Sequence, residues 1–143
     1  MIIPPKDYGS IIRKAMYEKW QRIWDGTDPN NKLKEIKSKV HEWSSSISDN
    51  RRTEVTMTRL RIGHTHLTHS FLMTMPHDPI PMCDGCGAQQ SVKHFIKQCP
   101  ALARARDRYF RNKTLKEILG EGPDSSVTNV IAYLREVELL DKI

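Results

Sequence analysis

Cys83, Cys86, His94 and Cys99 fall in the pattern C-x2-C-x7-H-x4-C, and no other cysteine occurs in the 143 residues. An odd number of thiols crowded into so short a window does not make a disulfide framework, but it matches the ligand spacing of a metal site. Two cysteines separated by Asp84 and Gly85 can grip one ion from a tight turn, with Gly85 and Gly87 placed to let the backbone bend. Ser91 can cap a helix that presents His94 one turn in, and Cys99 follows at the helix end, just before Pro100. Four such ligands complete a tetrahedron with no open position for water. The expectation is therefore one structural Zn2+, since magnesium or calcium would require oxygen donors. Three thiolates and a neutral imidazole give the centre a formal charge of about −1, which Lys93 and Lys97 would offset. The bland alternative is a set of ordinary buried thiols and a surface histidine.

Around this cluster the apolar spacing is helical. Ile12, Met16, Trp20 and Ile23 recur at one-turn intervals, which predicts a helix over Asp7 to Trp24 with Asp7 or Ser10 as its cap. Asp25 to Asn31 is dense in turn formers and ends it. Leu33, Ile36, Val40 and Trp43 are spaced for a second helix, although a short strand at Leu33 to Ile36 is also readable. Ser44 to Asn50 is a polar linker. Arg51 to Ile62 fits a basic amphipathic helix with Val55, Leu60 and Ile62 as its apolar residues, and Gly63 punctuates it. Leu67, Phe71 and Leu72 suggest a short helix before the Pro-rich stretch Pro76 to Pro81. Ala101 to Asn112 reads as a helix with a cationic face. Thr114 to Leu119 is a short helix closed by Gly120, and Asp124 or Ser125 caps a last one striped by Val127, Val130, Ile131, Leu134 and Val137. The expected fold is mainly α, a small helical domain around a CCHC zinc knuckle with little or no sheet. Its expected parts are residues 1–50, 51–112 and 113–143.

Lys and Arg number 23 against 17 Asp and Glu, a net charge of +6 that suits a polyanion without identifying one. No apolar run approaches the roughly 20 residues that span a bilayer, and the opening Met-Ile-Ile-Pro-Pro is too short for a signal peptide. An intracellular protein, nuclear or cytoplasmic and without a membrane partner, is expected.

Arg59, Leu60, Arg61, Gly63, His64 and Leu67 form an R-L-R-x-G-H-x-x-L segment, and the knuckle follows it as Cys83, Cys86, Gly87, His94, Cys99 and Pro100. This combination resembles the C-terminal region of the polyprotein of jockey-like non-LTR retrotransposons, downstream of the reverse transcriptase and ribonuclease H domains. The resemblance covers about Arg51 to Arg106, and the tryptophan-containing opening is similar to the linker after ribonuclease H in such elements. It implies a non-catalytic module working beside those two domains. The clustered carboxylates that either enzyme needs to hold Mg2+ are not recognisable in this sequence, so no enzyme activity is expected. Nothing after Glu121 carries a signature of the family.

Further residues admit two readings each. Arg59, Arg61, Arg104, Arg106, Arg108 and Arg111, with Lys93 and Lys97, can form one cationic surface on both sides of the zinc site for RNA or single-stranded DNA; a solvated helix face is the equal alternative. Trp20, Trp24 and Trp43 can stack on bases, but their apolar neighbours favour core packing for at least two of them. His64, His66 and His69 lack an accompanying carboxylate or nucleophile. At helical spacing they do not share a face, so a satisfied or partly exposed set, with His64 against the Arg59 helix, is favoured over a catalytic one. Nucleic-acid binding leads, docking on protein with zinc as a mere staple comes second, and hydrolysis at the histidines is weakest.

Overall fold

The computed structural model describes residues 5–43, 50–74, 79–121 and 126–143. Over these residues the fold is mainly α, as expected, with seven α-helices and no sheet. Helix α1 (Pro5–Asp25) runs through both Asp7 and Ser10, so neither is its cap; it starts at Pro5, whose restricted φ suits a first turn. Its apolar face has no cover among the described residues. Trp20 is 48% exposed and Ile23 61%.

Helix α2 (Lys32–Ile36) stops well short of Trp43. The longer helix read from the spacing is overridden by α1, which captures the backbone groups needed to continue it. The Gln21 side chain donates to the Ser38 carbonyl and accepts from Val40 N–H, and Trp24 Nε1 donates to the Lys37 carbonyl at 3.0 Å. Ile36 still reaches the core. The linker 44–49, residues 75–78 of the segment before the knuckle, and the proposed caps Asp124 and Ser125 lie outside the described residues.

Helix α3 (Arg51–Ile62) has the bounds expected, because Asn50 caps its start through Arg52 and Thr53 N–H and Gly63, at φ 75°, closes its end. Its buried face differs from the one expected. Thr56, Met57, Leu60 and Arg61 point inward at four-residue spacing, while Val55 and Ile62 are exposed. Helix α4 (His66–Thr74) follows after a Thr65–Thr68 turn. Beyond the knuckle come α5 (Ala103–Tyr109), α6 (Leu115–Leu119) and α7 (Val127–Glu136). Thr114 and Glu117 form a reciprocal capping box on α6, and Ser126 caps α7.

One cluster of buried side chains joins Ile36, Met57, Leu60, Phe95, Ile96, Phe110, Ile118, Leu119, Val130, Tyr133, Leu134 and Ile143. It draws on residues from 1–50, 51–112 and 113–143. No helix among the described residues is long and apolar enough to cross a membrane.

Candidate metal centre

The first two cysteines sit on a small hairpin. Met82 and Gln89 form an antiparallel bridge, Cys83 N–H donates to the Ala88 carbonyl, and Gly87 and Cys86 N–H both return to the Cys83 carbonyl. These bonds fold the chain back between the two thiols. Gly87 is at φ 72°, in the left-handed region where a side chain is strained. Gly85 has a different constraint: a Cβ there would come within 2.8 Å of the Ala101 side chain.

The second pair comes from the chain after Gln90. Ser91 Oγ accepts His94 N–H at 3.0 Å, the cap expected from the sequence. The helix then widens into one π turn, His94–Gln98, closed by Cys99 N–H on the His94 carbonyl at 2.8 Å. That turn decides the site. In a regular α-helix five residues leave two side chains about 140° apart, whereas an i→i+5 bond stacks the fifth residue over the first. His94 and Cys99 thereby share a face.

The π turn also creates a problem that the core solves. The next i→i+5 donor, for the Phe95 carbonyl, would be residue 100, and Pro100 has no N–H. The Tyr133 hydroxyl donates to that carbonyl instead, at 2.5 Å, with Tyr133 and Phe95 both fully buried. On the other side, Arg106 Nη1 donates to the Cys99 carbonyl at 2.9 Å. Sequence spacing does not reveal Tyr133 or Arg106 as support for the site, although Pro100 signals a carbonyl that needs a donor.

The donor atoms of Cys83, Cys86, His94 and Cys99 all lie within 4.8 Å of one another, a group able to hold one metal ion. Cys83 Sγ is 3.7 Å from Cys99 Sγ, Cys99 Sγ is 3.9 Å from Cys86 Sγ, and Cys86 Sγ is 3.4 Å from His94 Nε2. A disulfide would need about 2.05 Å. His94 and Cys99 are buried and Cys86 is exposed, so the site sits at the rim of the core with its hairpin side toward solvent. Burial pushes the Cys83 thiol up, but hydrogen bonds with His94, the Gly85 backbone and the other two thiols bring it down to about 7. Burial, then the Cys83 thiol, hold Cys99 above its ordinary value.

Most of the basic residues read as a surface are engaged within the fold. Arg61 is only 6% exposed, donates to the Leu119 carbonyl at 2.9 Å and lies 3.9 Å from the centre of the Trp43 ring, so it is a core cation and not available to a phosphate. Arg59 Nη1 donates to the Ile143 carbonyl. Arg108 pairs with Glu136, Lys93 with Glu35, and Lys97 donates to the Lys113 carbonyl. Arg104 and Arg111 are exposed. Of the tryptophans, Trp43 packs on the core, Trp24 is half-buried and Trp20 is exposed. His64 stacks flat on His69, with ring centres 4.1 Å apart, an arrangement that helical spacing alone does not give because His64 precedes α4.

No family model, no curated protein and no solved structure matches this chain.

Proposed function

We propose that Cys83, Cys86, His94 and Cys99 hold one structural Zn2+, and that the chain is a non-catalytic zinc-stabilised helical module that binds RNA or single-stranded nucleic acid. The observation that carries the metal is the spacing of the donors. Zinc–sulfur bonds of about 2.3 Å in a tetrahedron put neighbouring sulfurs about 3.8 Å apart, and the thiols lie 3.7 and 3.9 Å apart. Three sulfurs and a nitrogen are donors that zinc prefers, and four protein ligands leave it no coordination position for substrate. When bound, the ion would supply cross-linking between hairpin and π turn.

The nucleic-acid part rests on the net charge of +6 and on exposed cations that follow the knuckle in the chain. Arg104 and Arg111 on the α5 side are free of the burial that removes Arg61. The resemblance to the C-terminal region of jockey-like retrotransposon polyproteins supplies the setting, a tether for nucleic acid near a reverse transcriptase. Fluorescence anisotropy with labelled single-stranded RNA, across a salt series, tests it. Binding should weaken steeply as salt rises and should drop in Arg104→Glu/Arg111→Glu. Absent or salt-independent binding would overturn it.

A second reading is favoured by α1, whose Tyr8, Ile11, Ile12, Met16, Trp20 and Ile23 are exposed. Such a face suits docking on protein, in this setting the reverse transcriptase or ribonuclease H part of the parent polyprotein. It predicts that Ile12→Asp/Ile23→Asp abolishes that docking and leaves RNA binding unchanged.

A further inference from the structure

A cavity of about 330 Å³ lies away from the metal centre, lined by Arg59, His64, Thr65, His66, His69 and Leu72. No carboxylate is among these residues. The walls carry one permanent cation and three imidazoles that, among the described residues, do not form a group able to hold a metal ion, so the permanent charge makes the cavity suit an anion.

The side chains are held in place. The Ile143 carbonyl accepts from Arg59 Nη1 at 2.6 Å, which fixes the guanidinium through one of its five N–H groups. His69 is pinned at both nitrogens, 2.6 Å from Thr68 Oγ1 and 3.3 Å from Lys32 Nζ. His64 stacks on the pinned ring with the planes 4° apart, so its position follows from that of His69. His64 and His66 are themselves exposed to an incoming ligand. Arg59 and His66 also border a second cavity of about 460 Å³, reached by Arg51 and Arg52. Asp141 pairs with Arg52 there, which places the stronger anion preference in the smaller cavity.

We infer that Arg59, His64 and His66 form a phosphate pocket, and that its phosphate comes from the backbone of a nucleic-acid strand. Arg59 supplies a fixed charge with planar donors, the geometry suited to phosphate oxygens. The two imidazoles add N–H donors from the opposite segment. The nucleic-acid source rests on the proposed function above, whereas the pocket does not.

The test uses the full zinc-loaded chain and two probes, inorganic phosphate and a single-stranded RNA octamer. Side-chain histidine signals are followed by 1H–15N NMR, and RNA affinity by anisotropy. Phosphate should shift the His64 and His66 signals, and His64→Ala/His66→Ala should weaken RNA binding roughly tenfold or more, the loss expected for charged hydrogen bonds. The melting temperature of this variant should match wild type, because both side chains are exposed. Arg59→Gln should also lose the phosphate response, but it breaks the bond to Ile143, so the histidine variant decides. RNA binding that is unchanged in that variant, with no response to phosphate, overturns the pocket and leaves the nucleic-acid reading standing. A phosphate response in a chain that binds no RNA keeps the pocket and overturns nucleic acid as its source.

Discussion

Tyr133 shows how a single residue far along the chain supports the candidate metal centre. The π turn that brings His94 and Cys99 together leaves the Phe95 carbonyl without its backbone donor, and the buried Tyr133 hydroxyl supplies one. Tyr133→Phe keeps the ring and strands the carbonyl. It should cost about 1–3 kcal/mol in urea unfolding of the metal-loaded chain, and should speed metal loss to a chelator. A variant as stable as wild type would mean that the carbonyl finds another partner. At Gly87, in the left-handed region, an alanine should cost roughly 1–2 kcal/mol without removing any ligand. The Cys83 and Cys86 positions were legible because a C-x2-C turn is a local device. Tyr133 was not, since it lies far along the chain and only packing brings it to Phe95.

At the scale of elements, local chemistry explains boundaries better than it explains faces. Asn50 and Gly63 delimit α3 where the sequence places them, and Asn50→Ala should lower stability by about 1 kcal/mol in thermal or urea melts. The inward face of α3 does not follow from apolar residues alone: Leu60 is buried, but Val55 and Ile62 face solvent. The fold buries Arg61 instead, giving its guanidinium the Leu119 carbonyl and the Trp43 ring. Helix α2 is shorter than its apolar spacing implies for a related reason, since α1 side chains take up the backbone of residues 37–40. For α1 itself, Ile12→Asp/Ile23→Asp should leave the melting temperature nearly unchanged, because both residues already face solvent. A large loss of stability would show that this face is covered within the chain.

For the molecule as a whole, the candidate metal centre and the core are one object. Phe95 and Ile96, between the candidate ligands His94 and Cys99, are fully buried among α3, α6 and α7 residues. Chelation with EDTA should therefore lower the melting temperature of the whole chain by more than roughly 10 °C and should not merely loosen the hairpin. His94→Ala and Cys83→Ser should mimic it, with zinc stoichiometry falling from one per chain. Acid should release the metal, since protons compete for three thiolates and an imidazole; atomic absorption after desalting across a pH series reads this. The candidate ligand set, the helical class and several caps follow from the sequence by itself, because spacing along one turn and the donors of neighbouring residues decide them. Tertiary structure alone decides which cations stay available. Acceptors left at helix ends and turns, at Cys99, Lys113, Leu119 and Glu136, recruit Arg106, Lys97, Arg61 and Arg108. Those partners are distant in the chain for three of the four, and for the three carbonyls, buried or partly buried, a missing donor would cost more than a surface charge gains.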